Sequence, residues 1–212
     1  MKQIQNESGW RGSPEVWLQA AYDALLENGI DAVKIQLLAK KLNLARASFY
    51  WYFKDRDDLL AALLEVWRKK NTDNFVARTL AYADGPIEAI LNVSDCWFDS
   101  TLFDSRLEFA IRGWALQSAV VLQEVQRADQ IRIHALADLF CRFDMPQLAA
   151  DVRARTIYQL QIGYISMQLN ESLELRMSRM AEYLKVFTGL EASDKDLQRF
   201  FARHGVKITA SS

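Results

Sequence analysis

IQLLAKKLNLARASFYWYFKDR, residues 35–56, predicts two short helices joined by a tight turn and followed at once by a third helix. The first helix has one apolar face, because its apolar residues are spaced i, i+3, i+4 and i+7. These residues are Ile35, Leu38, Ala39 and Leu42. Asn43 stands at the turn, where its side chain tolerates the left-handed backbone that a sharp turn needs. The pattern indicates a helix-turn-helix.

The second helical segment, residues 45–53, is expected to bury Phe49 and Phe53 and to leave an unusual outward face. The side chains expected to point outward are Arg46, Ala47, Ser48, Trp51 and Tyr52. This mixture suits the major groove of DNA, because arginine can fork onto a guanine edge and small side chains allow close approach. Hydroxyl and indole N–H groups can reach phosphates. The alternative is an ordinary helical hairpin whose Trp51 and Tyr52 pack on another part of the protein.

Positive charge is concentrated in the same region. Residues 34–56 contain six basic residues and one acidic residue, a net charge of +5, whereas the whole chain has a net charge of −1 and a pI of about 6.2. The basic residues are Lys34, Lys40, Lys41, Arg46, Lys54 and Arg56. A local excess of cations in a nearly neutral chain predicts contact with phosphates.

These motifs resemble the DNA-binding domain of the tetracycline-repressor (TetR) family of bacterial transcription regulators. The resemblance rests on LLAKKL (37–42), the turn, RASFYWYF (46–53) and KDRDDLL (54–60). It covers residues 14–64 well and the remaining helical layout more loosely. It implies an all-α protein, in which an N-terminal three-helix helix-turn-helix domain is joined by a long helix to a C-terminal helical bundle for ligand binding and dimerisation.

Carried over position by position, the resemblance implies DNA contacts at eight residues. Groove contacts are implied for Gln36, Arg46, Ala47, Ser48 and Trp51, and phosphate contacts for Tyr50, Tyr52 and Arg56. Three positions depart from the family pattern. Lys34–Ile35 and Ala45 stand where helix-capping hydroxyls are usual, and a lost cap costs about 1 kcal/mol. Arg56 replaces a common lysine, which keeps the charge and changes the donor geometry.

Composition limits the class of protein. The 212 residues are half apolar and one quarter charged, which fits one or two globular domains. Charges interrupt the apolar runs, and the N-terminus lacks the apolar segment of a secretory signal, so we expect a cytoplasmic protein. Two cysteines in helical patterns fit a reducing compartment. With two histidines, no phosphate loop and no metal-ligand spacing, the chain is not expected to be an enzyme or to hold a cofactor.

The expected organisation is a flexible arm (1–12), the helix-turn-helix domain (13–54), a helical regulatory and dimerisation domain (55–190) and a tail (191–212). A first helix is predicted from Pro14 to about Asn28, and a long helix from Asp55 to about Ala83. Further helices are predicted near 86–102, 104–117, 119–143, 147–170 and 174–188. A capping box at Ser193–Asp196 indicates a short helix in the tail.

Aromatic residues of the second domain are candidates for lining a ligand cavity. They are Trp67, Trp97, Phe98, Phe103 and Trp114, with Arg112, Gln117, Asp129 and His134 as polar anchors. The alternative is that aromatic stripes at helical spacing form the core.

The last two bundle helices are where the resemblance places a dimer interface. The residues expected to supply it are Ile157, Leu160, Gly163, Tyr164, Ser166, Met167, Met177, Met180, Leu184 and Phe187. Packing within one chain is the alternative. A dimer is also favoured because two reading helices about 34–36 Å apart contact two half-sites on one face of the duplex.

The leading hypothesis is therefore a ligand-responsive dimeric repressor. Its partners would be a double-stranded DNA operator, an unidentified small-molecule effector and a second copy of the chain, with no membrane. The effector would tilt the long helix and change the spacing of the reading helices. The rival is a helical ligand-binding or protein-interaction module without DNA binding, which the missing caps at Lys34–Ile35 and Ala45 favour; an enzyme is a distant third.

Overall fold

The computed structural model describes residues 12–206, and all regular secondary structure in this range is helical. The prediction of an all-α protein is thus confirmed. The chain divides into two compact units, Met1–Val66 and Trp67–Ser212. No helix between residues 12 and 206 is both long enough and apolar enough to cross a membrane. The predicted flexible arm lies almost wholly outside the described residues.

The first unit contains α1 (Pro14–Asn28), a 3-10 turn (Ile30–Ala32), α2 (Ile35–Leu42), α3 (Arg46–Phe49) and most of α4 (Arg56–Trp67). Helix α1 begins where the sequence predicts: the Ser13 hydroxyl accepts a hydrogen bond from the Val16 N–H (3.4 Å), and Pro14 occupies the first helical position. Helix α4 also begins as predicted, because the Asp55 carboxylate accepts from the Asp58 N–H (3.0 Å).

Aromatic rings form the centre of the first unit. The Trp17 and Phe49 rings meet edge to face at 5.3 Å, and the Phe49 and Phe53 rings stack at 5.4 Å. Leu38 of α2 and Leu59 of α4 are buried in the same unit. Burial of Phe49 and Phe53 is as predicted, and it holds the short helix α3 with its opposite face turned to solvent.

The helix predicted from Asp55 to about Ala83 is helical from Arg56 to Thr79, but its helical type changes along the way. After α4 the chain forms a π-helical segment (Arg68–Asp73) and then α5 (Asn74–Thr79). The wider turn places Asn71 and Thr72 inside the second unit, where both are buried and hydrogen-bonded. Periodicity of apolar residues could not reveal this change, because the inward side chains at this point are polar.

The second unit continues with α6 (Pro86–Phe98), α7 (Ser105–Ala115), α8 (Ala119–Cys141), α9 (Gln147–Ser166), α10 (Leu173–Ser178), α11 (Met180–Thr188) and α12 (Asp194–Arg203). Helix α8 packs along α9 and against α7, while α6 packs on α5 and α11. The predicted break before Pro146 is present, with Asp144 in a left-handed conformation (φ 60°). The single helix predicted near 174–188 is divided at Arg179 into α10 and α11.

The tail helix α12 packs against α6 in the second unit. Its capping box at Ser193 and Asp196 is formed as predicted. Phe200 is fully buried and meets Phe98 edge to face at 5.6 Å. At the end of α12, the His204 Nε2 lies 2.9 Å from the Asp95 Oδ1. The tail is therefore an integral part of the helical bundle.

Candidate functional site

The turn between α2 and α3 sets the geometry of the candidate nucleic-acid interface. Asn43 adopts the predicted left-handed conformation (φ 53°, ψ 42°). Its N–H donates to the Lys40 carbonyl (3.2 Å), and the Leu44 N–H donates to the Ala39 carbonyl (2.9 Å), so the chain reverses within two residues. No side chain caps α2 at Lys34 or α3 at Ala45. As expected, both helices lack a side-chain cap at their first turn.

Exposed side chains of α2, α3 and the turn after α3 form one candidate surface. We call this set the reading surface: Gln36, Lys40, Arg46, Ala47, Tyr50 and Trp51, all of which are exposed. The Trp51 side chain is 67% exposed and Tyr50 is 50% exposed. This exposure goes against the alternative in which Trp51 is packed away in an ordinary hairpin. Large aromatic surface left in water beside cations is typical of a binding surface.

Ser48 does not face outward as predicted. It is only 6% exposed, and its hydroxyl donates to the Ala45 carbonyl (2.7 Å). The same carbonyl also accepts from the Ser48 N–H (2.9 Å), so the hydroxyl bond turns the Ser48 side chain back onto its own helix. The expectation of an outward Ser48 is therefore corrected.

Tyr52 and Arg56 make hydrogen bonds within the first unit. The Tyr52 hydroxyl donates to the Gly12 carbonyl (2.6 Å). The Arg56 guanidinium donates from Nε to the Val33 carbonyl (2.5 Å) and from a terminal nitrogen to the Ile30 carbonyl (3.0 Å). Both side chains are partly buried, so they brace the unit. Their contact with phosphates stays a prediction.

The charges of the region fall into two groups that the sequence did not separate. Lys41 lies 3.5 Å from Glu27 and 4.0 Å from Asp23, both on α1. By contrast, across residues 12–206 no carboxylate lies within 4.0 Å of Lys34, Lys40, Arg46 or Lys54. The positive potential is therefore carried by side chains whose charges are open to a phosphate partner.

Leu37 is a further exposed residue that the sequence reasoning did not select. It lies on α2 next to Gln36 and is 48% exposed. It falls off the apolar stripe of Ile35, Leu38 and Leu42, and this departure from periodicity was the available signal. An exposed apolar side chain beside the reading surface can contact a thymine methyl group.

The aromatic residues predicted to line a ligand cavity separate in the structure. Trp97 and Phe98 of α6 do line a cavity of about 50 Å³ in the second unit, together with residues of α9, α10 and α11. Trp67, Phe103 and Trp114 are instead buried in the core, and Gln117 is exposed elsewhere. None of these four residues lines this cavity, and their place in a ligand site stays a prediction.

A buried polar network explains why Trp67 belongs to the core. The Trp67 indole N–H donates to the Glu108 carboxylate (2.7 Å), which also accepts from Asn71 (2.9 Å) and Arg132 (3.0 Å). Glu108 and Arg132 are fully buried. Burial alone would raise the pKa of Glu108, but attraction by Arg132 and Arg112 outweighs it and lowers the pKa.

The proposed anchors Arg112 and Asp129 belong to the same network. Their side chains form a two-bond ion pair, and the Tyr158 hydroxyl donates to Asp129 (2.5 Å). Burial raises the pKa of Tyr158 well above its ordinary value, so its hydroxyl remains a donor. These charged groups satisfy one another and hold α7, α8 and α9 together. His134 lies beside a different surface depression, near Asp138 and Leu148.

The predicted dimer residues also divide into two sets. Met177, Met180 and Leu184 are buried in the core of their own chain, as are Ile157 and Phe187, so the expectation that they supply apolar surface to a second subunit is corrected. Helix α11 packs against α6 and α9 of the same chain. The periodicity of apolar residues cannot tell such packing from packing against a second subunit. Leu160 and Met167 are exposed, while Gly163 and Tyr164 are partly buried.

Comparison with known proteins points to one family. Residues 18–63 match the family model described as bacterial regulatory proteins, tetR family. The chain is 34% identical over 65 residues to the class A tetracycline repressor protein from transposon 1721 of Escherichia coli, which covers 31% of this chain and 30% of that protein. It is 39% identical over 57 residues to an HTH-type transcriptional repressor of Mycobacterium tuberculosis, covering 26% and 22% of the two chains. The chain thus matches less than one third of the length of these relatives.

Solved structures extend the likeness to the whole fold. A TetR-family transcriptional regulator from Mesorhizobium loti aligns with a TM-score of 0.57 at 17% identity, over 90% of this chain and 95% of that one. The fatty acid degradation regulator FadR from Bacillus halodurans aligns with a TM-score of 0.59 at 14% identity, over 87% and 97%. Residues 18–63 thus match the tetR family of bacterial regulatory proteins, and the whole chain shares the helical fold of these solved structures.

Proposed function

We propose that the protein is a DNA-binding transcriptional regulator that acts as a ligand-responsive dimeric repressor in the cytoplasm. The observation that carries the proposal is the reading surface, which combines exposed Arg46, Tyr50 and Trp51 on a helix-turn-helix. Arg46 would read a base edge in the major groove, while Lys40 would neutralise a phosphate. The repressors that match residues in this domain support the same function.

Dimer formation is proposed through α9 and α11, with a revised set of residues. Leu148 and Val152 are exposed at successive turns of α9, Leu160 is exposed two turns later with Thr156 between them, and Val186 is exposed on α11. A largely apolar stripe of this kind is expected to be covered by another protein surface. A second copy is the occupant that fits, because two reading surfaces are needed to contact two half-sites.

The dimer proposal is tested with two exposed leucines of similar accessibility. Leu148, on the α9 stripe, is 77% exposed, and Leu80, beyond α5, is 71% exposed. Leu148→Glu should dissociate the dimer in sedimentation velocity experiments, whereas Leu80→Glu should leave it intact. A monomeric wild-type protein at micromolar concentration would contradict the dimer.

The DNA-binding proposal is tested by fluorescence anisotropy with duplex DNA from the region upstream of the protein's own coding sequence. A random duplex of equal length is measured at the same salt concentration. Arg46→Ala should weaken operator binding by about 1–3 kcal/mol and reduce discrimination at one base position, with a small effect on random DNA. The control is Arg155→Ala, which removes a half-buried arginine of α9 in the second unit that pairs with Asp151.

Three outcomes decide the DNA-binding proposal. Selective loss with Arg46→Ala supports base reading, and equal loss on both duplexes defeats the assignment of Arg46 to base reading. Absence of any salt-sensitive DNA affinity defeats the DNA-binding function itself and favours a helical ligand-binding or protein-interaction module.

A further inference from the structure

The cavity of the second unit contains an arginine in an unusual environment. The Arg176 guanidinium lies between two aromatic rings, 4.4 Å from the centre of Phe98 and 5.1 Å from the centre of Tyr164. One terminal nitrogen donates to the Trp97 carbonyl (2.8 Å). These contacts fix the plane and position of the guanidinium at the cavity wall.

Arg176 has no carboxylate partner among the described residues. Arg153 also has none, but it lies outside the lining of this cavity and donates to the Phe187 carbonyl (2.6 Å). Three other arginines of the unit are paired. Arg112 pairs with Asp129, Arg132 with Glu108, and Arg78 with Asp95. Between residues 12 and 206, no carboxylate lies within 4.0 Å of Arg176. The one acidic residue that lines the cavity, Glu171, is 2.7 Å from Arg179 and is thereby neutralised.

The cavity thus carries one excess positive charge. Its lining includes Arg176, Arg179 and Glu171 as charged residues, which leaves a net charge of +1. Burial lowers the pKa of Arg176, although Tyr164 and Glu171 act in the opposite direction. The lowered pKa indicates that the guanidinium is partly removed from water. A desolvated cation without a counter-ion is unfavourable, and a bound anion would offset that cost.

The rest of the lining is suited to an apolar ligand body. Trp97, Phe98, Ile157, Met180 and Phe187 surround the cavity with apolar surface. A planar carboxylate can form two hydrogen bonds with the guanidinium, and its single charge matches the net charge of the cavity, whereas a phosphate carries more charge. The cavity volume of about 50 Å³ favours a compact molecule over a long-chain one.

We propose that this cavity binds a small apolar monocarboxylate, with its carboxylate on Arg176 and its apolar body between Trp97 and Phe187. The assignment of this molecule as the effector rests on the proposed regulatory function. The inference gives the effector a chemical class and identifies Arg176 as the residue that selects it.

The test uses two small probes that differ in charge and have similar shapes, propanoate and propan-1-ol, because a cavity of about 50 Å³ favours a compact body. Each is titrated into the full-length wild-type protein by isothermal calorimetry. The carboxylate should bind at least tenfold more tightly than the alcohol. Arg176→Gln should abolish this preference, while Arg176→Lys, which keeps the charge and loses the fork, should retain part of it.

The matched control is the double variant Glu171→Gln/Arg179→Gln. It removes the paired charges of the cavity and leaves its net charge unchanged, so the preference for the carboxylate should stay within threefold of the wild-type value. Failure of the wild-type protein to bind the carboxylate, equal affinity for the two probes, or an unchanged preference in Arg176→Gln would each overturn the inference.

DNA binding is measured on the same preparations, so that the two proposals are separated. Carboxylate selectivity without DNA binding would overturn the regulatory function and leave the ligand class standing. DNA binding without carboxylate selectivity would overturn the ligand class alone. With both present, the probe should change the affinity for operator DNA in wild-type protein and have no effect in Arg176→Gln.

Discussion

The two units use charged side chains in opposite ways. In the first unit, Lys40 and Arg46 are exposed, and along residues 12–206 no carboxylate approaches either within ion-pair distance. In the second unit, Arg132 is fully buried and contacts Glu108, Thr72 and Tyr158. A solvated cation without a partner is available to a ligand, whereas a buried cation with three partners holds helices together.

This contrast gives a rule for separating binding charges from structural charges in a helical protein. The type of residue does not separate them, because Arg46 and Arg132 are both arginines on amphipathic helices. The neighbours contributed by other helices separate them. Arg176 is informative because it is partly buried like a structural charge and lacks a carboxylate like a binding charge.

The largest effect is expected from removing the acidic centre of the buried network. Glu108→Ala leaves Arg132 buried without its counter-ion and should lower the free energy of unfolding by about 3–5 kcal/mol. Urea denaturation followed by circular dichroism measures the change. Asp151→Ala, which removes the partner of Arg155 in an ion pair at the surface, is the control and should leave stability nearly unchanged. Equal losses in the two variants would show that burial does not separate the two kinds of charge.

The same network should make stability depend on acid pH. The pKa of Glu108 is lower in the folded protein than its ordinary value of 4.5, so the folded state binds this proton more weakly than the unfolded state. Its contribution is therefore fully present above about pH 4.5 and is lost as the pH falls through the folded pKa. Urea midpoints at pH 7 and pH 4 should differ less for Glu108→Gln than for wild type. An identical pH dependence in the two proteins would exclude this contribution.

Arg56 lies in the first unit but, like the buried arginines of the second unit, it makes hydrogen bonds within its own unit. Arg56→Ala removes the hydrogen bonds to the Val33 and Ile30 carbonyls and should lower the free energy of unfolding by about 1–3 kcal/mol. Arg56→Lys keeps the charge but loses the forked donor geometry. It should therefore lose most of the stability that these two hydrogen bonds contribute and keep most of any phosphate contact. Unchanged stability in both variants, with weaker DNA binding in Arg56→Ala alone, would make Arg56 a binding charge.

The smallest effect is expected at the start of α3, where Ala45 provides no side-chain cap. Ala45→Ser should raise the free energy of unfolding by about 0.5–1 kcal/mol, because its hydroxyl can accept from a free N–H of the first turn. Ala47→Ser, two residues later and also exposed, is the matched control and should not stabilise the protein. A gain shared by both variants would point to a cause other than capping.

Local sequence signals predicted much of the fold. Ser13–Pro14, Asn43 and the Ser193–Asp196 capping box each fix a helix end through backbone conformation or a bond within a few residues. Such features require no knowledge of distant neighbours. The exposure of Trp51 was also predictable from local sequence, because Phe49 and Phe53 occupy the buried face of this segment.

Features decided by distant neighbours were not predictable. The π-helical segment at 68–73 depends on Glu108 and Arg132, which lie more than 30 residues away. Likewise, the apolar residues Met177 and Leu184 could face either a partner subunit or their own core, and the structure places them in the core. Lys40 and Lys41 are adjacent and chemically identical, so the α1 carboxylates alone distinguish them.

That adjacent pair provides the decisive measurement. The affinity for operator DNA is measured across a range of salt concentrations for wild type, Lys40→Gln and Lys41→Gln. Wild type should lose affinity steeply with salt. Lys40→Gln should reduce the slope of log affinity against log salt by about 0.9, the value for one phosphate contact, and Lys41→Gln should leave it unchanged. A flat wild-type curve, or equal changes in the two variants, would contradict the assignment of the unpaired cations of α2 and α3 to DNA.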